Sequence, residues 1–497
     1  CMRWKIFKSA LIKFFYIFRG FRDKTVMNKR VGILIICCLY LSACQMKKTD
    51  LSEASVIRDF DEIVADGKLK VLIAYSATSY FLYRGQTMGY EYDLLKRLAK
   101  ELNLELELKV SRNLDEMLDE LKNGNVDLVA HGLAVTQERK KVVAFSNYLY
   151  LTKQVLVQRK PDNWRKLTVD DIKEAMIQDP IELIGDTVSV RKNSSYLKRL
   201  LNLSKEIGGN IYIDSLEGSL STDEIIKQVV DKKIKYTVAD GNLARINASH
   251  NPILDVSIPV SFSQRISWAV RKNSPVLLEA INTWIEEEKK SSDYYVIYNK
   301  YFENKRSFRR RAKSKFYSLN KNQISPYDKL IKEHAKELGW DWRLLASLVY
   351  QESQFQPNDT SWAGAKGLMQ MMPSTAKALG VKDRENPEES LRGGAAYLEQ
   401  LYGNFDQVKD SVQRIKFAMA SYNCGYQHVR DAQNLAEVRG LDKYTWDSNV
   451  DKMILGLSDP KNYNHDIVQY GYVRGVETYD YVTEIFNRYT LYSTLVN

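Results

Sequence analysis

The feature that most constrains this chain is a change of periodicity partway along it. From about residue 61 to 303, strand-type runs alternate with helix-type runs; after about 321 the strand-type runs stop. Leu69–Ser76 is a short β-type run, Tyr90–Leu102 repeats apolar residues at helical spacing, Glu105–Ser111 alternates, Leu114–Gly124 is helical and Val126–Gly132 is strand-like again. That βαβα order predicts a mostly parallel sheet. A second set follows at Ile181–Gly185, 194–207, 211–214, 222–234 and 236–240, closed by Arg265–Val270 and a helix over 275–302. Two α/β lobes predict a cleft between them. Beyond 321 the pattern is all-α: 327–338 with Gly339 as C-cap, 342–353 capped by Asp341, then 374–379, 390–402, 411–421 and 476–490. The expected fold class is therefore α/β plus all-α, a two-lobed domain followed by a helical one.

Charge narrows the function classes. The formal net charge is +11, but residues 1–43 hold nine Lys/Arg and one Asp, so the rest of the chain carries only +3. A basic nucleic-acid face has no support there, and no nucleic-acid partner is expected. Four of the five cysteines crowd the first 44 residues, leaving Cys424 with no partner for a disulfide. The five histidines are scattered, so no metal or other cofactor is expected.

The N-terminus reads as an address. Met27-Asn-Lys-Arg is basic, Val31–Tyr40 is an apolar run of ten, and Leu41-Ser-Ala-Cys44 ends it with small residues before a cysteine. Ten residues fall short of the about 20 a membrane-spanning helix needs; basic, apolar, small is a secretion signal. The cysteine at the cut site resembles a bacterial lipoprotein signal, which implies a signal peptide over 27–43, lipidation at Cys44 and a tether over 44–60. The resemblance implies a lipid anchor in a membrane facing the periplasm. Gln45, where an Asp would favour inner-membrane retention, points to the outer membrane, with the inner membrane as the alternative. Residues 1–26 read as an over-extended start or as a basic amphipathic segment around Phe14, Phe15, Tyr16 and Phe18. Residues 304–320 form a basic linker, with seven basic residues in 304–316. Its plain reading is a solvated charge run; the sharper one is contact with anionic lipid or wall polymer.

In the helical half, Glu352 falls near the end of the 342–353 helix, where unsatisfied carbonyls disfavour a charged carboxylate. A Glu kept protonated near neutral pH is what a general acid needs. Taken alone, such a Glu is far more often a solvated surface residue. Its surroundings change the reading. Glu352-Ser-Gln-Phe355, Gly364-Ala-Lys-Gly-Leu-Met-Gln370, Tyr422-Asn-Cys-Gly425 and Glu477-Thr-Tyr-Asp-Tyr-Val482 occur in that order. They resemble the soluble-lytic-transglycosylase family over roughly 325–490. The resemblance implies a lysozyme-like fold in residues 321–497 and non-hydrolytic cleavage of the MurNAc–GlcNAc β-1,4 bond of peptidoglycan, leaving 1,6-anhydro-MurNAc ends. It makes Glu352 the catalytic acid and then base. Ser353, Gly367, Leu368, Met369, Gln370, Tyr422, Asn423, Glu477 and Tyr481 become substrate-binding or cleft-supporting positions. An ordinary glycosidase needs a second carboxylate, and near Glu352 in sequence only Asp359 offers one. Lys366 and Ser421 depart from the family's usual Ser and Ala.

In the first half, Tyr80–Asp93 (YFLYRGQTMGYEYD), Val126–Arg139 (VDLVAHGLAVTQER) and Phe145-Ser-Asn-Tyr148 resemble periplasmic solute-binding proteins of the polar amino-acid type. The resemblance spans 61–303. It implies that Arg139 holds a ligand carboxylate, as a guanidinium does bidentately, and that Asp240 takes the ammonium; the expected ligand is an amino acid or a muropeptide. Ala134 replaces the usual Thr or Ser. His131 reads as a buried structural histidine. The whole order resembles the family of membrane-bound lytic transglycosylases with a solute-binding domain, here given a sensing or regulatory role. Two rivals stand beside it: a receptor whose C-terminal domain only grips glycan, and a hydrolytic muramidase.

Overall fold

The computed structural model describes residues 58–496 apart from 112 and 320–322. The expected signal peptide, Cys44 and the 1–26 segment lie outside the described residues. Among the described residues, no helix is long and apolar enough to cross a membrane.

The first lobe is built on one mixed sheet. Lys68–Ala74 lies between Glu105–Ser111 and Leu128–Ala134, parallel to both, and Gln264–Val270 adds antiparallel beside the latter. Burial explains the run-like sequence: Leu69, Val71, Leu72 and Ile73 are all sealed in, because helices cover both faces of a parallel sheet. The chain leaves this lobe after Tyr150–Thr152 and returns at Gln264. Between these crossings lies the second lobe. Gln154–Arg159 pairs antiparallel with Thr237–Asp240 and Leu254–Asp255, while Thr187–Arg191 and Tyr212–Leu216 pair parallel.

Two expectations here need correction. Ile181–Gly185 is not a strand: Asp179 caps a short 3₁₀ turn at Pro180–Leu183, with proline at its first position, and the strand starts at Thr187. The 275–302 helix is three pieces, Pro275–Glu288, Ser292–Tyr298 and a π turn over Asn299–Glu303. Ser291 is the reason for the first break, since its hydroxyl accepts the Tyr294 amide and starts a new helix.

The basic segment is also more than a solvated linker. Lys305–Ala312 is a helix capped by Asn304, with Phe308 and Arg311 buried on its inner side. The Arg311 guanidinium lies over the rings of Phe81, Tyr301 and Phe308, at 5.5, 5.7 and 5.8 Å from their centroids. A weakly hydrated planar cation tolerates such an aromatic surround, which an ammonium would not.

The remainder is helical. Asp328–Leu338 ends at Gly339 with φ 68°, Trp342–Ser353 is capped by Asp341, and Pro373–Ala378, Pro387–Gly403, Ser411–Cys424 and Gly475–Leu495 follow. The Tyr426–Val438, Asp451–Gly456 and Pro460–Tyr463 helices were not foreseen. One continuous apolar core runs from Leu69 of the first lobe through Phe308 and Tyr317 to Leu345 and Ile485 of the helical part. The two parts are therefore packed together, and a hairpin made of Phe81–Tyr83 and Gln86–Met88 reaches the helical part at its tip. At its tip Gly85 has φ 75°, and its carbonyl accepts the Tyr492 hydroxyl at 2.7 Å. A Cβ there would lie 2.5 Å from the Phe355 ring, so only glycine fits.

Candidate active site

Glu352 sits in the last turn of Trp342–Ser353, and Gln354 ends that helix in the left-handed conformation at φ 50°. Phe355 (φ 61°) and Gln370 (φ 44°) share this backbone state, which costs energy in any residue but glycine. Strain is thus gathered on the two segments that flank Glu352. The Glu352 side chain is half-buried. Burial pushes its carboxyl from an ordinary 4.5 up to about 7, against the opposing pull of the Tyr481 hydroxyl, which donates to Oε1. Among the described residues, no other carboxylate is one of the groups acting on it.

Tyr422 completes the cluster. Burial and the nearby Glu352 charge raise its pKa, and its hydroxyl donates to the Met369 carbonyl at 2.7 Å. Helices distant in sequence thereby converge: Glu352 from one, Tyr422 from Ser411–Cys424 and Tyr481 from Gly475–Leu495. Asn423 accepts the Thr478 hydroxyl at 2.8 Å, tying the last two together.

Other expected site residues fall elsewhere. The Ser353 side chain is 2% exposed and donates to the Leu368 carbonyl at 2.9 Å, so it anchors the loop instead of facing a sugar. Leu368 and Met369 are fully buried, and their side chains point into the core; they support the loop from beneath. Gly367 is required by protein, not by ligand: at φ 85°, a Cβ would come within 1.8 Å of the Arg384 carbonyl. Gln370 is half-buried and its amide donates to the carbonyls of Asp359 and Gly367. Glu477 is exposed and pairs with Arg474 at 3.1 Å, apart from Glu352. Asp359 is exposed too, its carboxylate accepting the Thr360 amide. Lys366 pairs with Glu385 at 2.9 Å. Ser390, which no motif marked, accepts the Met369 amide and fixes the same loop.

The cleft between the lobes brings Arg139 and Asp240 together. The Gln137–Val142 helix presents Arg139, whose Nη1 donates to the Ala134 carbonyl at 3.0 Å. Asp240 ends a strand and opens the Gly241–His250 helix. Burial lifts its carboxyl to about 6, opposed by Tyr196 and by the charges of Arg139 and Arg191. His131 lines this cleft and is held neutral, its pKa pushed down to about 3 by burial and the same two arginines. Arg191 and Tyr196 went unnoticed in the sequence because, in the second lobe, the resemblance was carried to Asp240 alone and no block of several residues was singled out. The lobes also touch across the cleft, where the Ala77 amide donates to Asp223 at 3.1 Å and Lys198 pairs with Glu138.

Comparison with known proteins agrees with the two halves. Residues 68–304 match the family of bacterial extracellular solute-binding proteins, family 3, and residues 329–445 match the transglycosylase SLT domain. Among solved structures, a mutant of ArgBP from T. maritima is 30% identical, with a TM-score of 0.41, covering 49% of this chain and 98% of that one. A protein of Desulfosudis oleivorans named membrane-bound lytic murein transglycosylase F is 35% identical over 425 residues, which are 86% of this chain and 90% of that protein. One of the same name from Stutzerimonas stutzeri is 30% identical over 94% of this chain and 92% of its own. With its solute-binding half, its helical SLT half and this near full-length likeness, the chain belongs to the membrane-bound lytic murein transglycosylase F family.

Proposed function

We propose that this protein cleaves the MurNAc–GlcNAc β-1,4 bond of peptidoglycan without water, with Glu352 as its acid and base. The observation that carries the reading is a single carboxyl, raised to about 7, with Oε1 engaged by Tyr481 and no second carboxylate acting on it. Near neutral pH such a group is protonated about half the time, so it can give a proton and then take one. Oε2 delivers the proton to the glycosidic oxygen as the C1–O bond breaks and the GlcNAc-side hydroxyl leaves. The carboxylate then accepts the proton of the MurNAc C6 hydroxyl as O6 bonds to C1, closing the 1,6-anhydro ring. An inverting or retaining hydrolase would use a second carboxylate for water or for a covalent intermediate.

Purified peptidoglycan digested with the protein and with Glu352→Gln, then reduced with borohydride and weighed by mass spectrometry, tests this. Products one water lighter and resistant to reduction, absent with the variant, are expected. Reducible, hydrated products would make it a muramidase, and glycan binding without products from either protein would make it a receptor.

The cleft holding Arg139 and Asp240 is the site of a small amino acid or muropeptide ligand, and its closure regulates the glycan site. The packed hairpin between the two halves supports this coupling. A lipid at Cys44 holds the protein on the periplasmic face of the outer membrane. A ligand titration with measured binding but unchanged turnover would sink the regulatory role.

A further inference from the structure

The cleft between the lobes is charged in a way that the two residues foreseen from sequence do not account for. Its lining carries two guanidiniums, Arg139 and Arg191, and three carboxyls, Glu91, Asp223 and Asp240. With all of these ionised, the lining is one negative charge in excess. Asp223 is already engaged by the Ala77 amide and by Asn247. Both arginines act on Asp240 and on His131, so these four form one end of the cleft.

Glu91 stands apart from that end. Among the described residues no cationic side chain acts on it; its own backbone amide, the Ser79 hydroxyl and the Gly132 amide favour its charged form. Its side chain is 3% exposed, and Oε2 has no hydrogen-bond partner. Tyr150 also lines the cleft and feels the charges of both Glu91 and Asp240. Gly132 lets the backbone approach both groups closely: a Cβ on it would lie 3.0 Å from the Tyr150 hydroxyl and 3.4 Å from Glu91 Oε1. A carboxyl buried without a cation is costly. It responds by holding its proton, with burial lifting its pKa to about 7.

We propose that Glu91 is a second recognition point of this cleft, receiving the cationic side-chain end of a basic α-amino acid whose head is held by Arg139, Arg191 and Asp240. The inference rests on the reading of the cleft as an amino acid site. A ligand of net charge +1 neutralises the excess, and the unpartnered Oε2 gains a charge-assisted hydrogen bond. An uncharged side chain of the same length leaves Glu91 unpartnered and forfeits that bond.

Calorimetric titration of the full chain with L-lysine and with L-norleucine, which lacks only the terminal amine, tests this. L-Lysine is expected to bind at least about tenfold more tightly, the size of one hydrogen bond to a charged group. Glu91→Gln is expected to remove that preference while keeping L-norleucine binding, Glu91→Asp to keep part of it, and Arg139→Ala to weaken both ligands. Equal binding of the two ligands by the unaltered protein overturns the inference while the amino acid site stands, and that comparison needs no variant to fold. A preference that survives Glu91→Gln overturns it as well. Binding of neither ligand overturns the inference together with the reading beneath it.

Discussion

Glu352 illustrates how much a residue's chemistry depends on what encloses it. A carboxyl raised from 4.5 to about 7 by burial makes the folded state most favoured when protonated. That stability is fully present below about 4.5 and is lost as pH rises through about 7. Glu352→Gln should therefore melt at a higher temperature than the unaltered protein at pH 8. The gap should close as pH falls to about 4.5, in a thermal unfolding series, while wall cleavage falls about 100-fold or more. Tyr481→Phe acts the other way on the same group. Removing the hydroxyl that favours the carboxylate raises the pKa of Glu352 further. Because the proposed mechanism starts from the protonated form, the alkaline limb of the pH–rate profile should move up by about half to one unit, the worth of a single hydrogen bond. Glu352 was legible in the sequence because four motif blocks surround it. The roles of Ser353, Leu368 and Met369 were not, since a motif names residues without saying which way they face, and their burial comes from partners such as Ser390 that lie far along the chain.

At the scale of elements, local signals did well wherever a cap fixes an end. Asp341 and Gly339 marked the Trp342–Ser353 and Asp328–Leu338 helices because their side chain and left-handed backbone satisfy the helix termini directly. The misreadings arose where a cap interrupted a helix-type stretch, as at Ser291, or where proline opened a turn, as at Pro180. The basic helix Lys305–Ala312 hid behind its composition: five basic residues in eight suggest solvent, and only its aromatic neighbours show why Arg311 turns inward. The loop over Gly364–Gln370 yields a test at this scale. Gly367→Ala meets both an unfavourable φ and the Arg384 carbonyl at 1.8 Å, so backbone must move. We expect a loss of about 3 kcal/mol in denaturant unfolding, with wall cleavage reduced because Tyr422 bonds the neighbouring Met369 carbonyl.

Over the whole molecule, the two-part architecture was legible from the switch in periodicity, but the contact between the parts was not. Gly85 lies inside the Tyr80–Asp93 block without standing out there; its partners Phe355 and Tyr492 lie some hundreds of residues away and leave no local trace. The final helix gives that contact a mechanical meaning. Gly475–Leu495 bears Tyr481 on Glu352 and Tyr492 on Gly85, eleven positions and about 16 Å apart along one rod. A rod does not bend to absorb a push at one end, so any shift of the hairpin is delivered to the acid as a turn or slide of the whole shaft. Inserting one alanine after Ile485 would rotate the far end by about 100°. The grip on Glu352 should survive and the grip on Gly85 should slip, leaving a cutter that runs with its clutch disengaged: turnover persists, and the proposed response to what the cleft holds is lost.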